Sequence, residues 1–111
     1  MNAEHTADTA AEDLSVRHNA DVHRFEAVTP DGQVAGYLAY DEVPTHAPSG
    51  RGAFVAVHTV VEPDHAGAGV GSALARAALD HARAEHLVVI PECSFVRAFI
   101  DKHAEYQDLL P

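Results

Sequence analysis

The chain has 111 residues, 47% of them hydrophobic and 22% charged, which suits one compact domain and argues against both disorder and a two-domain chain. Seven Lys and Arg stand against seventeen Asp and Glu, a net charge of −10 with the histidines neutral, so a nucleic-acid partner is disfavoured by phosphate repulsion. No apolar run approaches the roughly 20 residues of a membrane helix. The single cysteine, Cys93, excludes an internal disulfide and, with no export-signal pattern, points to a reducing cytoplasm.

Residues 1–12 are polar and alanine-rich without apolar periodicity, which predicts a flexible tail ahead of a domain over 13–111. From Leu14, alternation of Leu14, Val16 and His18 with polar neighbours predicts a first strand, and Val22–Val28 a second with His23, Phe25 and Ala27 on one face. Thr29-Pro30-Asp31-Gly32 is a hairpin turn by its chemistry: proline presets φ, aspartate bonds its own backbone, and glycine accepts positive φ. The return strand, Gln33–Glu42, places Val34, Leu38 and Tyr40 on one face and Tyr37 and Ala39 on the other. Two prolines and two glycines then predict a loop over Val43–Gly52.

Ala53–Val61 is β-branched and apolar on both faces, the pattern of a central strand. A helix follows from Val70 to about Glu85, its apolar stripe formed by Val70, Leu74, Ala77, Ala78 and Ala82. Leu87–Ile90 is a short buried strand parallel to its predecessor, stopped by Pro91. Ser94 is the expected N-cap of a last helix turning Phe95, Val96, Phe99 and Ile100 inward, with a kinked helical continuation to Pro111. The fold class is therefore α/β (α+β), a mixed, mostly antiparallel sheet with one β-α-β crossover and a C-terminal helix.

The chemistry concentrates in Ala66-Gly67-Ala68-Gly69-Val70-Gly71-Ser72, glycines between a strand and a helix start. Free N–H groups and a partial positive charge at a helix N-terminus bind phosphate, and glycines let the backbone approach. The spacing matches neither the dinucleotide fingerprint nor the Walker A loop, which needs a lysine. No Cys-x-x-Cys or His-Glu-x-x-His occurs, and His18/His23 and His81/His86 are each five apart, so no metal site is expected. His58, within the apolar strand, has two readings, a hydrogen-bonded core histidine or a general base. Cys93 likewise is either a small buried hydrophobe or a thiol favoured as thiolate by a helix N-terminus.

The loop resembles the acetyl-CoA signature of the GNAT (Gcn5-related N-acetyltransferase) superfamily. The likeness extends to a small single-domain subgroup through His58-Thr59, Pro91-Glu92-Cys93-Ser94-Phe95-Val96 and His103-Ala104-Glu105-Tyr106. It implies a truncated GNAT-like fold and acetyl-CoA (CoA) as cosubstrate. The acetyl group would pass to a small-molecule or protein amine, directly or through Cys93. It implies pantetheine pairing with the backbone near Val60 and Val61, pyrophosphate binding at Gly67–Ser72, and Cys93 at the thioester end. Arg76 is the first choice for the 3′-phosphate, with an Arg76–Asp80 surface pair as the simpler reading. Tyr106 is a core aromatic rather than a proton donor. Ala66 stands where the family carries Gln or Arg, and Val60 where the subgroup often carries Glu. A CoA-binding module with little transferase activity is the alternative, and the oligomeric state stays open.

Overall fold

The computed structural model describes residues 14–111; the tail expected over 1–12 lies outside the described residues. Five strands form one sheet in the order β1 (Ser15–Asn19), β2 (Arg24–Val28), β3 (Val34–His46), β4 (Arg51–Val61) and β5 (Val88–Pro91). Neighbours are antiparallel except β4 and β5, which run parallel and are joined by helix α1 (Val70–Ala84). Helix α2 (Ser94–Lys102) and a 3-10 segment, Ala104–Leu109, close the chain. This is the mixed sheet with a β-α-β crossover that the sequence predicts. β4 lies between β3 and β5, one strand from the edge rather than in the middle.

One core gathers Phe25, Leu38, Tyr40 and Phe54 from the sheet with Leu74, Leu79, Val96 and Ile100 from the helices. Alanines at 75, 78 and 82 bring α1 close to the sheet. The stripe is wider than predicted: Ala75 and Leu79 are buried with it, whereas Ala77 is only partly covered. Tyr106 and Leu109 pin the 3-10 segment onto the same core.

The structure corrects four local expectations. His23 takes left-handed backbone angles, φ 54° and ψ 56°, and ends a 3-10 turn instead of joining β2. Ala27 faces Gly36 and Val28 faces Val34, so Ala35 is a bulge residue that turns Val34 into solvent and leaves Gly36, Leu38 and Tyr40 on the core face. The predicted loop over Val43–Gly52 is mostly ladder, since β3 runs to His46 and β4 starts at Arg51 around a turn closed by Gly50 N–H on His46 O. Pro44 is tolerated there because it lies in the irregular stretch between the Val43 and His46 pairings, where its missing N–H breaks no ladder bond. In α2, Cys93 rather than Ser94 holds the N-cap position, and Phe95 is 41% exposed instead of inward.

Candidate active site

The loop between β4 and α1 begins with a 3-10 turn, Pro63–His65. Gly67 and Gly69 then adopt φ of +81° and +80°, angles that favour glycine because a Cβ crowds the following carbonyl. Gly69 is the N-cap of α1, and no side chain caps that helix. Its first intrahelical bond at this end runs from Ala73 N–H to Gly69 O, so the N–H groups of Val70, Gly71 and Ser72 have no helical partner. They edge a cavity of about 290 Å³ lined by Val61, Ala66, Gly67, Gly69, Val70, Gly71, Ser72 and Phe95. A Cβ on Gly71 would meet the Phe95 ring at 2.8 Å, so glycine there lets α2 lay that ring across the first turn of α1.

The β4–β5 ladder ends at the Ala56–Pro91 pair, and Cys93 N–H closes it with a 2.8 Å bond to Ala56 O. Beyond that point the register of β4 pairs it with β3 alone. Glu62 N–H donates to Ala35 O, so the alternation of an antiparallel ladder turns the backbone groups of Val60 and His58 toward β3. Those of Val61 and Thr59 turn to the vacant edge. Val61 thus faces the free edge, Val60 is engaged by Tyr37, and Thr59 is a residue that sequence reasoning did not single out.

A bulge decides the side chains here. Ala56 pairs with Tyr40 and His58 with Ala39, leaving Val57 unmatched. Without it His58 would fall on the core face with Phe54 and Ala56. With it His58 emerges on the helix-free face, exposed, its ring edge-on to Tyr37 at 5.9 Å. The core-histidine reading is therefore overturned. His58 lines a second cavity, about 410 Å³, with Arg24, Tyr37, Asp41 and Val57 among its other walls. Thr59 takes the helix-side face, and its Oγ1 lies 3.4 Å from Cys93 Sγ.

Cys93 is buried at the start of α2, where the two parallel strands separate. Arg76 lies away from the loop's lining residues, 3.8 Å from Glu105 and with its guanidinium over the Phe99 ring; Asp80 instead accepts from Tyr106 Oη at 2.8 Å. Burial and that acidic neighbour push the Tyr106 phenol upward. His65 is a partly covered loop residue, and His103 caps α2, its Nδ1 2.7 Å from Phe99 O. Among the described residues, no group of three His, Cys, Asp or Glu is placed to hold a metal, and no helix is long and apolar enough to cross a membrane.

A family model described as GCN5-related N-acetyl-transferase matches residues 24–109. No curated protein sequence matches. Among solved structures, the chain is similar to a GCN5-like protein from Staphylococcus aureus, at 24% identity and TM-score 0.63 over 89% of each chain. It is also similar to a ribosomal-protein-alanine N-acetyltransferase from Brucella melitensis (22% identity, TM-score 0.58, 79% of this chain and 62% of that one). An acetyltransferase from Trypanosoma brucei gives 24%, 0.58, 75% and 62%. These likenesses concern the fold, and the chain spans less than two-thirds of the latter two. With the family match running over most of the sheet, the glycine loop and both helices, the chain belongs to the GCN5-related N-acetyltransferase family.

Proposed function

We propose that the domain is an acetyl-CoA-dependent N-acyltransferase that transfers the acetyl group directly to an amine. The observation that carries this reading is the conjunction of an uncapped α1 N-terminus with the vacant edge of β4, Val61 of that edge lining one cavity with the glycine loop. Acetyl-CoA would supply the activated acyl group. The N–H groups of Gly67, Gly69, Val70, Gly71 and Ser72 would hold its pyrophosphate, Ala68 N–H being already given to His65 O. Thr59 and Val61 would pair with the extended arm as an added strand. Ala66 and Ala68 shape the loop instead, their N–H groups given to Pro63 O and His65 O, and Val70 packs its side chain into the core beneath the site. Cys93 and Thr59 would border the thioester end.

The acceptor amine would approach from the opposite face, through the cavity bounded by Tyr37, Asp41 and His58. His58 is the ionisable group on β4 nearest that opening, and its exposure lets it pass a proton from the amine to water. A small-molecule amine and a protein N-terminus or lysine both fit an open cavity of this kind, and an acidic surface favours a cationic one.

The test is calorimetry with CoA followed by CoA-thiol release across a panel of amines. Binding with amine-dependent release is the expected result. Binding without release on any amine would favour the alternative of a CoA-binding module. Cys93→Ala separates the routes: direct transfer predicts that turnover stays within about tenfold of the parent, a loss of roughly 1.4 kcal/mol at most. Abolished turnover, together with an acetyl adduct on Cys93 of the parent, would move the mechanism to a covalent carrier.

A further inference from the structure

The open-face cavity has a floor and walls that the ladder register sets out. Ala39 lies between Arg24 of β2 and His58 of β4, its direct partners on either side. Tyr37 and Asp41 share its face, two residues away in each direction along β3. All of them line the cavity of about 410 Å³. The space exists because the middle position carries only a methyl group. Across the sheet the flanking strands stand roughly 5 Å to each side of Ala39, and Tyr37 and Asp41 lie roughly 7 Å away along the strand, a frame for a molecule of a few heavy atoms.

Two walls of this frame carry opposite charges. Glu26 is one carboxylate facing two guanidiniums, Arg17 at 2.7 Å and Arg24 at 2.9 Å, so a positive charge is left over on the Arg24 side. The Arg24 guanidinium lies 4.3 Å over the Tyr37 ring, which fixes its plane. It donates to Glu26 through Nη2, its Nε–H is buried without an acceptor, and Nη1 has no protein acceptor among the described residues. A guanidinium with N–H groups still to donate matches a carboxylate. Asp41 is exposed and its side chain has neither an ion pair nor a hydrogen bond among the described residues, which leaves it open to an ammonium group. His58 stands across from Arg24, and His23, at the rim, has its ring stacked against that of Tyr40. The chain as a whole is strongly acidic, yet this frame is bipolar.

We propose that this frame selects a free amino acid as the acceptor, with its carboxylate on Arg24 and its amine between Asp41 and His58. The inference rests on the open face being the acceptor side. It narrows the acceptor to an amine that carries its own carboxylate, which a lysine side chain within a protein or a protein N-terminus lacks. In the transfer the ammonium gives one proton by way of His58 to water, and the freed lone pair forms the N–C bond as the thioester C–S bond breaks. A second proton passes from nitrogen to the departing thiolate, so the products are an N-acetyl amino acid and CoA. Arg24 is then the residue that sets specificity, and Ala39 the one that keeps room for the substrate.

The experiment measures CoA-thiol release from acetyl-CoA with free amino acids, with their C-terminal amides and with simple alkylamines. It uses the parent chain, Arg24→Gln, Arg24→Lys and Ala39→Leu, with CoA affinity followed by calorimetry. The parent is expected to favour an acid over its amide by roughly 20-fold in kcat/KM, as befits one charge-assisted contact. The amide has the less basic amine, which is deprotonated more readily, so this preference runs against intrinsic reactivity. Arg24→Gln should abolish the preference by raising the KM for the acids alone, Arg24→Lys should keep part of it, and both should bind CoA as the parent does. Ala39→Leu fills the floor and should lower release with every amine by about tenfold or more, at unchanged CoA affinity. Equal use of acid and amide by the parent, or a preference that survives Arg24→Gln, would overturn the proposal. If Ala39→Leu blocks release even so, the acceptor side stands and the substrate class alone falls. Parent-like turnover in Ala39→Leu would instead remove the acceptor reading on which the proposal rests, and no release with any amine would remove the transferase reading itself.

Discussion

Gly69→Asp is expected to lower CoA affinity by about 100-fold, whereas Gly50→Asp leaves it unchanged. Both glycines have left-handed backbones, φ +80° and +76°, and aspartate is among the residues that tolerate such angles, so strain costs each variant about 1 kcal/mol. The difference lies in what the new carboxylate meets. Gly50 is in the far hairpin with open space around its Cβ position. Gly69 is the N-cap, so a carboxylate there stands beside the free N–H groups of the first turn and offsets the helix dipole. The variant therefore supplies its own anion to the amides proposed for the pyrophosphate. Losing two hydrogen bonds to a charged ligand, at about 1.5 kcal/mol each or more, amounts to the stated factor. Thermal unfolding of the free protein should change little, because the cap offsets the strain. A Gly69→Asp protein that binds CoA like the parent would remove the loop from the site.

The contrast between Gly69 and His58 also shows where the sequence was readable. Turn chemistry and period carried the architecture: Thr29–Gly32 closes as expected, with Gly32 N–H on Thr29 O, and the strand–helix–strand order forces the parallel pair. The glycine run before Val70 was legible because its conformational needs are local. What escaped depends on partners. A bulge inserts one unmatched residue, and whether Val57 or its neighbour takes that role is decided by the β3 register, which no pattern within β4 encodes. That one residue sends His58 to the open face and Thr59 to Cys93. Phe95 escaped for a related reason, since helical periodicity places it beside Phe99 but cannot know that Gly71 leaves its ring at a cavity mouth.

Glu26 was hidden in the same way, on the polar side of an alternating strand, yet it is 2% exposed. Its carboxylate accepts from Arg17 Nε at 2.7 Å, from Arg24 Nη2 at 2.9 Å and from Asn19 Nδ2 at 3.4 Å. The Arg17 hydrogen bond holds the carboxyl below the usual range, helped by Arg24 and Asn19 and opposed by burial. Glu26→Gln is expected to lower unfolding free energy by about 2 kcal/mol at pH 7. A fully enclosed pair broken on one side costs about 3–5 kcal/mol, but the Arg17 and Arg24 side chains are 59% and 35% exposed and can return charge to water. The sign of the pH dependence follows from the depressed folded value. The contribution is complete above the unfolded carboxyl pKa of about 4.3 and disappears as pH falls through the lower folded one. Urea unfolding of parent and variant should therefore differ most near neutrality and converge in acid; a gap independent of pH would show that Glu26 acts through packing alone. Arg24 also lines the open-face cavity and lies 4.3 Å over the Tyr37 ring, so a freed guanidinium would disturb the wall along which an acceptor amine is proposed to enter. The variant should accordingly raise the KM for the amine while leaving CoA affinity, built on the other face, at the parent value.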